Sequence, residues 1–283
     1  MELDAGAAAE RHAHGQVATS VIDDRILLMT VDRVEKKNAF TPKISAELAA
    51  AYTWLDDDPS LFAGVLTFAG EHTTAGLEMP LFFGGGGDGD DGGGGGGAGR
   101  RSGRGGADQV DPFGLRRRLR KPLVTAIQGV TFTVGIEIAL AGDIVVAASD
   151  ARICQLEPKR GLAPLGGATI RYVQRAGWGN AMYHLLRADE FGAAEAYRTG
   201  LVQEVVEPGR QRERAVELAR ELLACAPSAL VHTIANARLA VEEGPAAAAA
   251  AIPEMAAAVQ ATEDFAEGVR SFVERRPARF TGA

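Results

Sequence analysis

Lys121-Pro-Leu-Val-Thr-Ala-Ile-Gln-Gly129, Phe132-Thr-Val-Gly-Ile-Glu-Ile-Ala139, Ala141-Gly-Asp-Ile-Val-Val-Ala147 and Gln155-Leu-Glu-Pro-Lys-Arg-Gly161 follow one another in a single stretch. Leu123 to Ile127 and Ile144 to Ala148 are short apolar runs rich in β-branched residues, which reads as two buried strands. Between them, Ile136 to Leu140 reads as helical. A parallel neighbour needs a crossover connection, usually a helix, so this order predicts parallel pairing and an α/β fold.

The pattern extends upstream. Ile26 to Val31 and Gly64 to Phe68 read as further buried strands. Between them Thr41 is placed to cap a helix with Pro42 in its first turn, and Ile44, Leu48 and Leu55 recur at helical spacing until Asp56 to Pro59 end it. Downstream, one short strand fits Leu201 to Val206, and the rest reads as helices: Arg212 to Leu223, Ser228 to Glu243, the alanine run Ala246 to Ala251, and Asp264 to Arg275. The expected organisation is a disordered tail over residues 1–20, an α/β core over 21–205 and a mostly helical region over 206–283. That last region is suited to capping the core or reaching a neighbouring subunit.

Glycine dominates residues 84–106, where Asp88, Asp90 and Asp91 give way to Arg100, Arg101 and Arg104. Too few apolar groups are present to offset ordering entropy, so a flexible loop is expected. The segment lacks the G-x-x-x-x-G-K-S/T pattern of a phosphate loop. With Arg116, Arg117, Arg118 and Arg120 it could touch RNA or a cofactor's phosphates, or be a solvated basic face.

With 283 residues, 46% hydrophobic and 24% charged, the chain has ordinary globular composition and enough length for a sizeable core. Its net charge of −7 gives no overall field toward nucleic acid or an anionic membrane, so nucleic acid is not an expected partner. Cys154 and Cys225 read as free thiols in a reducing compartment. The first residues lack the pattern of a signal peptide, and no apolar run approaches the roughly 18 residues of a membrane span; a soluble, cytoplasmic protein is expected. His12 and His14 form no metal site, and no metal is expected.

Glu137 is the most informative single residue, because it sits among Val134, Ile136, Ile138 and Leu140, where an unpaired charge is costly. The quoted stretch, taken in order, resembles the enoyl-CoA hydratase/isomerase (crotonase) superfamily. Lys36-Lys37-Asn38-Ala39, His72-Thr-Thr-Ala-Gly-Leu-Glu-Met79 and Glu267-Gly-Val-Arg-Ser-Phe272 resemble its early loop, its oxyanion segment and its final helix. The likeness runs from Ile26 to Phe280 apart from the glycine-rich insertion.

The resemblance implies a crotonase-like spiral of β-β-α units and assembly as a homotrimer or hexamer. It implies an acyl-CoA substrate, with coenzyme A part of that substrate and no separate cofactor. Glu137 and Glu157 would be the acid/base carboxylates, and the backbone N–H groups of Leu77 and Val134 the oxyanion hole. Lys36, Lys37, Ala39, Ala75, Gly76, Glu78, Met79, Gly135, Leu156 and Phe272 would line the substrate and CoA site.

Adding water to a 2-enoyl thioester needs a polarised carbonyl, a base for water at C3 and an acid for C2, and two carboxylates with two N–H groups supply these. Burial and a neighbouring like charge should raise the pKa of at least one of the two glutamates. Isomerisation, or another acyl-CoA reaction using the same oxyanion hole, is the first alternative, and a non-catalytic RNA- or protein-binding module the second. Several positions depart from the family pattern: Thr133 and Val134 stand where glycines are common, Leu156 and Leu165 replace a frequent proline and glycine, and Glu78 replaces an aspartate. If the turn needs positive φ, Val134 is expected to carry strain; Leu156 and Leu165 are expected to reshape the acyl pocket.

Overall fold

The computed structural model describes residues 14–83 and 108–283. The expected flexible loop at 84–106 and the first part of the expected disordered tail lie outside those residues. The chain enters as β1 (Gln16–Ile22) and turns through Asp23 and Asp24, both at positive φ, into β2 (Ile26–Asp32), which pairs with it antiparallel. This corrects the tail expectation, since Gln16 to Ser20 are ordered in β1. The strand has no buried residue and carries no hydrophobic alternation to betray it; it is held by its ladder and by Val17 N–H donating to Glu47 at 2.7 Å.

Next come α1 (Pro42–Asp57), whose cap Thr41 accepts from Ile44 N–H at 3.2 Å, then β3 (Ala63–Phe68) and the short α2 (Met79–Phe83). The deciding stretch folds as β4 (Leu123–Ile127), β5 (Val130–Phe132), α3 (Val134–Ala141), β6 (Ile144–Ala148) and β7 (Arg152–Cys154). A 3₁₀ turn over Glu157–Arg160 leads to α4 (Ala168–Arg187), β8 (Phe191–Gly192), α5 (Ala193–Arg198) and β9 (Glu204–Val206). The chain ends in α6 (Gln211–Leu222), α7 (Pro227–Glu242), α8 (Pro245–Gln260) and α9 (Glu263–Glu274).

The main sheet has the order β1-β2-β3-β4-β6-β9, parallel from β2 onward. A second, smaller sheet, β5-β7-β8, is extended by single bridges between Thr74 and Thr131 and between Phe40 and Leu77. The chain thus places a strand in the large sheet, a strand or bridge in the small one and then a helix, and repeats, which is the β-β-α spiral. Alternation sorts the core: Leu27, Met29 and Val31 pack with Ile44, Leu48 and Leu55 of α1. Ile26 and Leu28 face the other way, with Val65, Val124 and Val146, onto Ala215 and Ala219 of α6. Helices α7 and α8 are different, with no buried residue in the first and only Ala248 in the second.

The arginines after the glycine-rich segment are partly exposed and are paired with carboxylates of the same chain. Arg117 and Arg120 both reach the buried Asp56 at 2.9 Å. Arg116 lies 3.7 Å from Asp111, and Arg118 pairs with Glu242. The run is spent on internal ion pairs.

The turn before α3 does require positive φ, but the strain falls on Thr133 and not on Val134: Thr133 sits at φ 48°, ψ −112°. A β-branched residue there costs on the order of 1–3 kcal/mol. Thr133→Gly relieves that cost against the roughly 0.5–1 kcal/mol of added chain entropy that glycine brings. The expected outcome is a net gain of about 1 kcal/mol, read as a Tm higher by ~2–4 °C in thermal denaturation; a lower Tm would show that the Thr133 side chain holds the turn.

Candidate active site

Three loops meet at the edge of the small sheet. In the first, Asn38, fully buried and at φ 52°, accepts Arg33 N–H at 2.8 Å and donates to Ala69 O and His72 O, both at 2.8 Å. Its own carbonyl takes the Thr74 hydroxyl at 2.7 Å, and Ala75 N–H donates to Lys37 O at 2.9 Å. Phe40 N–H donates to Gly76 O and Glu78 N–H donates to Phe40 O, each at 2.9 Å. That parallel bridge turns the N–H of Leu77 to the opposite side, where no acceptor meets it among the described residues.

Gly76 is at φ 114°, and a Cβ there would lie 2.8 Å from Thr133 Oγ1. The Leu77 loop is therefore packed against the turn that starts α3. Gly135 is equally tight, since its added Cβ would strike Thr74 Cγ2 at 2.6 Å. At this helix start, Val134 N–H has no intrahelical acceptor and none among the described residues. Two amides without acceptors among the described residues are thus carried by two closely packed loops.

Glu137, in the first turn of α3, is 4% exposed. Its Oε1 accepts Gly166 N–H at 2.8 Å and Ala168 N–H at 3.1 Å, anchoring the carboxylate at the start of α4. A Cβ on Gly166 would come within 2.3 Å of Glu137 Oε2 and 2.6 Å of Phe113, so glycine is required at that position. Glu157 opens the 3₁₀ turn after β7. Burial raises its pKa to about 7, its own backbone N–H opposes the rise, and the charge of Glu137 adds to it. With its amide nitrogen turned inward, Gln155 donates to both Glu157 oxygens at 3.0 and 2.8 Å. The two acids, separated in sequence, are near enough for the charge of Glu137 to contribute to the rise at Glu157.

The other expected residues divide. Lys36 and Lys37 are exposed on the turn that carries the Ala75 contact, with Ala39 half-buried beside them. Glu78 takes an ion pair from the buried Arg33 at 2.6 Å, the structural reason for an acid there. Met79 is 41% exposed at the start of α2, and Leu156 caps the Glu157 turn. Leu165 projects outward at 61% exposure, so the tight position of that loop is Gly166 instead. Phe272 is 85% exposed on α9, and no hydrogen bond, ion pair or ring contact among the described residues ties that helix to the Leu77 loop.

Two residues escaped the sequence reading. Tyr172 is fully buried and its hydroxyl has no hydrogen-bond partner among the described residues; burial first, then the charges of Glu137, Cys154 and Glu157, hold its pKa well above the ordinary phenol value. Arg171 reaches Gly166 O at 3.1 Å, behind the peptide that anchors Glu137. Neither belongs to a motif, and the only available signal was their place three and four residues after Ala168, inside a helix the sequence pattern did not reveal. Among the described residues, no group of three or more His, Cys, Asp or Glu side chains is placed to hold a metal ion, and no helix is long and apolar enough to cross a membrane.

Comparison with known proteins bears on the family and the fold. The profile of the family described as enoyl-CoA hydratase/isomerase matches residues 22–283. A mevalonyl-coenzyme A hydratase of Aspergillus fumigatus is 32% identical over 260 residues, 89% of each chain, and an enoyl-CoA hydratase of Mycobacterium tuberculosis is 30% identical, over 90% of this chain and 92% of that one. Among solved structures, a probable enoyl-CoA hydratase/isomerase from Mycobacterium abscessus superposes with a TM-score of 0.86 at 37% identity, covering 94% of this chain and 98% of that one. An enoyl-CoA hydratase from M. tuberculosis H37Rv gives 0.81 at 32%, covering 94% and 99%. With a family profile matched over residues 22–283, relatives at 30% identity or more and the same spiral fold, the chain belongs to the enoyl-CoA hydratase/isomerase family.

Proposed function

We propose that the protein hydrates a 2-enoyl-CoA thioester, using Glu137 and Glu157 as its acid/base pair. The observation that carries this reading is the buried Glu137 carboxyl, anchored by Gly166 N–H and Ala168 N–H one turn from the acceptor-free Val134 amide, with its charge contributing to the raised pKa of Glu157. In this reading the thioester oxygen sits between Leu77 N–H and Val134 N–H, and the enolate that develops there is stabilised by fixed donors in a site partly closed to water. Glu137, held as a carboxylate acceptor by two N–H groups, orients water and takes its proton as oxygen bonds to C3. Glu157, whose acid form persists to near neutral pH, gives a proton to C2. The proton gained by one glutamate balances that lost by the other, and exchange with solvent resets the pair.

Coenzyme A enters as part of the substrate, and the reaction so written uses no further cofactor. Lys36 and Lys37 are assigned to its phosphates because they are the exposed cations next to the Leu77 loop. The nearly unburied helices α7 and α8 support a homotrimer or hexamer, in which those surfaces and the Phe272 face of α9 pack on neighbours. Two unpaired cysteines, one buried and one exposed, support a reducing cytoplasmic location.

Glu137→Gln and Glu157→Gln are each expected to lower kcat for crotonyl-CoA by roughly 10²–10⁴-fold with a smaller change in KM, followed as loss of the conjugated thioester absorbance. Loss of that absorbance without a hydroxyacyl product would sink hydration in favour of isomerisation or another reaction. The pH dependence has a definite sign. Burial lifts Glu157 to about 7, so its acid form predominates below that pH and is lost above it. The hydration kcat is expected to fall on the alkaline side with a midpoint of about 7, a value belonging to the coupled pair; a profile flat from about pH 5 to 9 would contradict the assignment of Glu157 as the acid.

A further inference from the structure

Among the described residues, three buried hydroxyls have no hydrogen-bond partner: those of Tyr52, Thr125 and Tyr172. A buried hydroxyl without a partner is costly and calls for a reason. For Tyr172 the surroundings supply one. It stands one turn after Ala168 in α4, and long helical side chains lean back toward the helix N-terminus, so its ring is directed to the turn whose Ala168 N–H donates to Glu137. The ring is fully buried in one core cluster with Ala168, with Ile136, which precedes Glu137, and with Ile153, which precedes Cys154.

The groups whose charge reaches this hydroxyl stand on three separate elements: Glu137 on α3 first, then Cys154 at the end of β7, then Glu157 on the 3₁₀ turn. Cys154 is spent, since it donates to Ala188 O at 3.4 Å and burial pushes its thiol up to about 11. On α4 itself, the neighbouring Arg171 is turned to Gly166 O and Phe113 O. The two carboxyls are the acceptors that remain. Burial keeps the phenol protonated across the neutral range, so it can donate a hydrogen bond without titrating there. Tyr52 offers a contrast. The charge that reaches it is that of Asp143, which already accepts Leu123 N–H at 3.0 Å and Arg238 at 3.2 Å.

We propose that Tyr172 is a positioning residue for the acid pair: its hydroxyl donates, through one buried water, to the carboxyls of Glu137 and Glu157 and favours the ionised form of the pair. Its catalytic consequence rests on the hydratase reading above; the hydrogen bond does not. A donor to a carboxylate stabilises the charged form, so losing it raises the pH at which the pair gives up its proton.

Tyr172→Phe keeps the ring and removes the hydroxyl. Its kcat for crotonyl-CoA is expected to fall about tenfold with KM within about twofold. The alkaline midpoint, about 7 for the wild type, is expected to rise by roughly 0.5–1 pH unit. Tyr52→Phe is the control and should leave kcat, KM and midpoint unchanged. Difference infrared titration of the Glu157 carboxyl in the full chain, identified by its loss in Glu157→Gln, reads the same upward shift without turnover. A shift in Tyr172→Phe with no hydration by the wild type supports the proposal and sinks the hydratase reading alone. An unmoved Glu157 titration overturns the proposal, whether kcat is unchanged or falls through altered packing. Should Tyr172→Phe fail to fold, a crystal structure of the wild type decides: a water bonded to Tyr172 Oη and to either carboxyl supports the proposal, and an Oη without any partner overturns it.

Discussion

The grip of two backbone amides on one carboxylate organises this protein. Glu137 reaches from the first turn of α3 to Gly166 N–H and Ala168 N–H, so a buried charge is met by donors that the start of α4 would otherwise leave unsatisfied. With that grip, the carboxylate has a fixed direction, α4 is docked, and Gly166 is forced to stay glycine by contact with Glu137 and Phe113. Position and loop shape follow from the same pair of hydrogen bonds.

A second constraint works from the other side. Asn38 has no room to be anything but a bridge: its amide joins Arg33, Ala69 and His72, and its backbone takes the Thr74 hydroxyl. Three consecutive loops are tied before Leu77 is reached, which is why a single amide can be held out without its own partner. The Arg33–Glu78 ion pair then closes the far end of the segment. Replacing an aspartate by the longer Glu78 preserves a carboxylate for a cation that is itself almost fully buried.

What the sequence made legible is what has a strong local signal. Leu123–Ile127 and Ile144–Ala148 are continuous buried runs, and their ends were placed to the residue; Thr41 and Pro42 mark a helix start through the chemistry of capping itself. The motif order singled out Glu137, Glu157 and the Leu77 loop as candidates. Hidden were the parts made by tertiary contact. β1 is an exposed edge strand with no apolar alternation, and β5, β7 and β8 span only two or three residues. Helix α4 carries Gly177 at φ 74° within it, and that break blurs the periodicity which would have revealed Arg171 and Tyr172 as neighbours of the acids. The ion pairs of the arginine run were hidden for a related reason, because the carboxylates that neutralise Arg117 and Arg118 come from distant elements.

Thr133 shows how these constraints combine. Its φ/ψ is unfavourable for a β-branched residue, yet its N–H donates to Cys154 O at 2.9 Å and its carbonyl accepts Glu137 N–H at 3.2 Å. Strain persists where neighbours over-determine a conformation, and here β7 holds one side of the residue while the first turn of α3 holds the other. Cys154 ends β7, and the chain passes from it through Gln155 and Leu156 to Glu157. One strained peptide therefore sets the Val134 amide, the helix that bears Glu137 and the strand that delivers Glu157. The chain keeps a strained backbone at the point from which the Val134 amide and both carboxylates take their bearings.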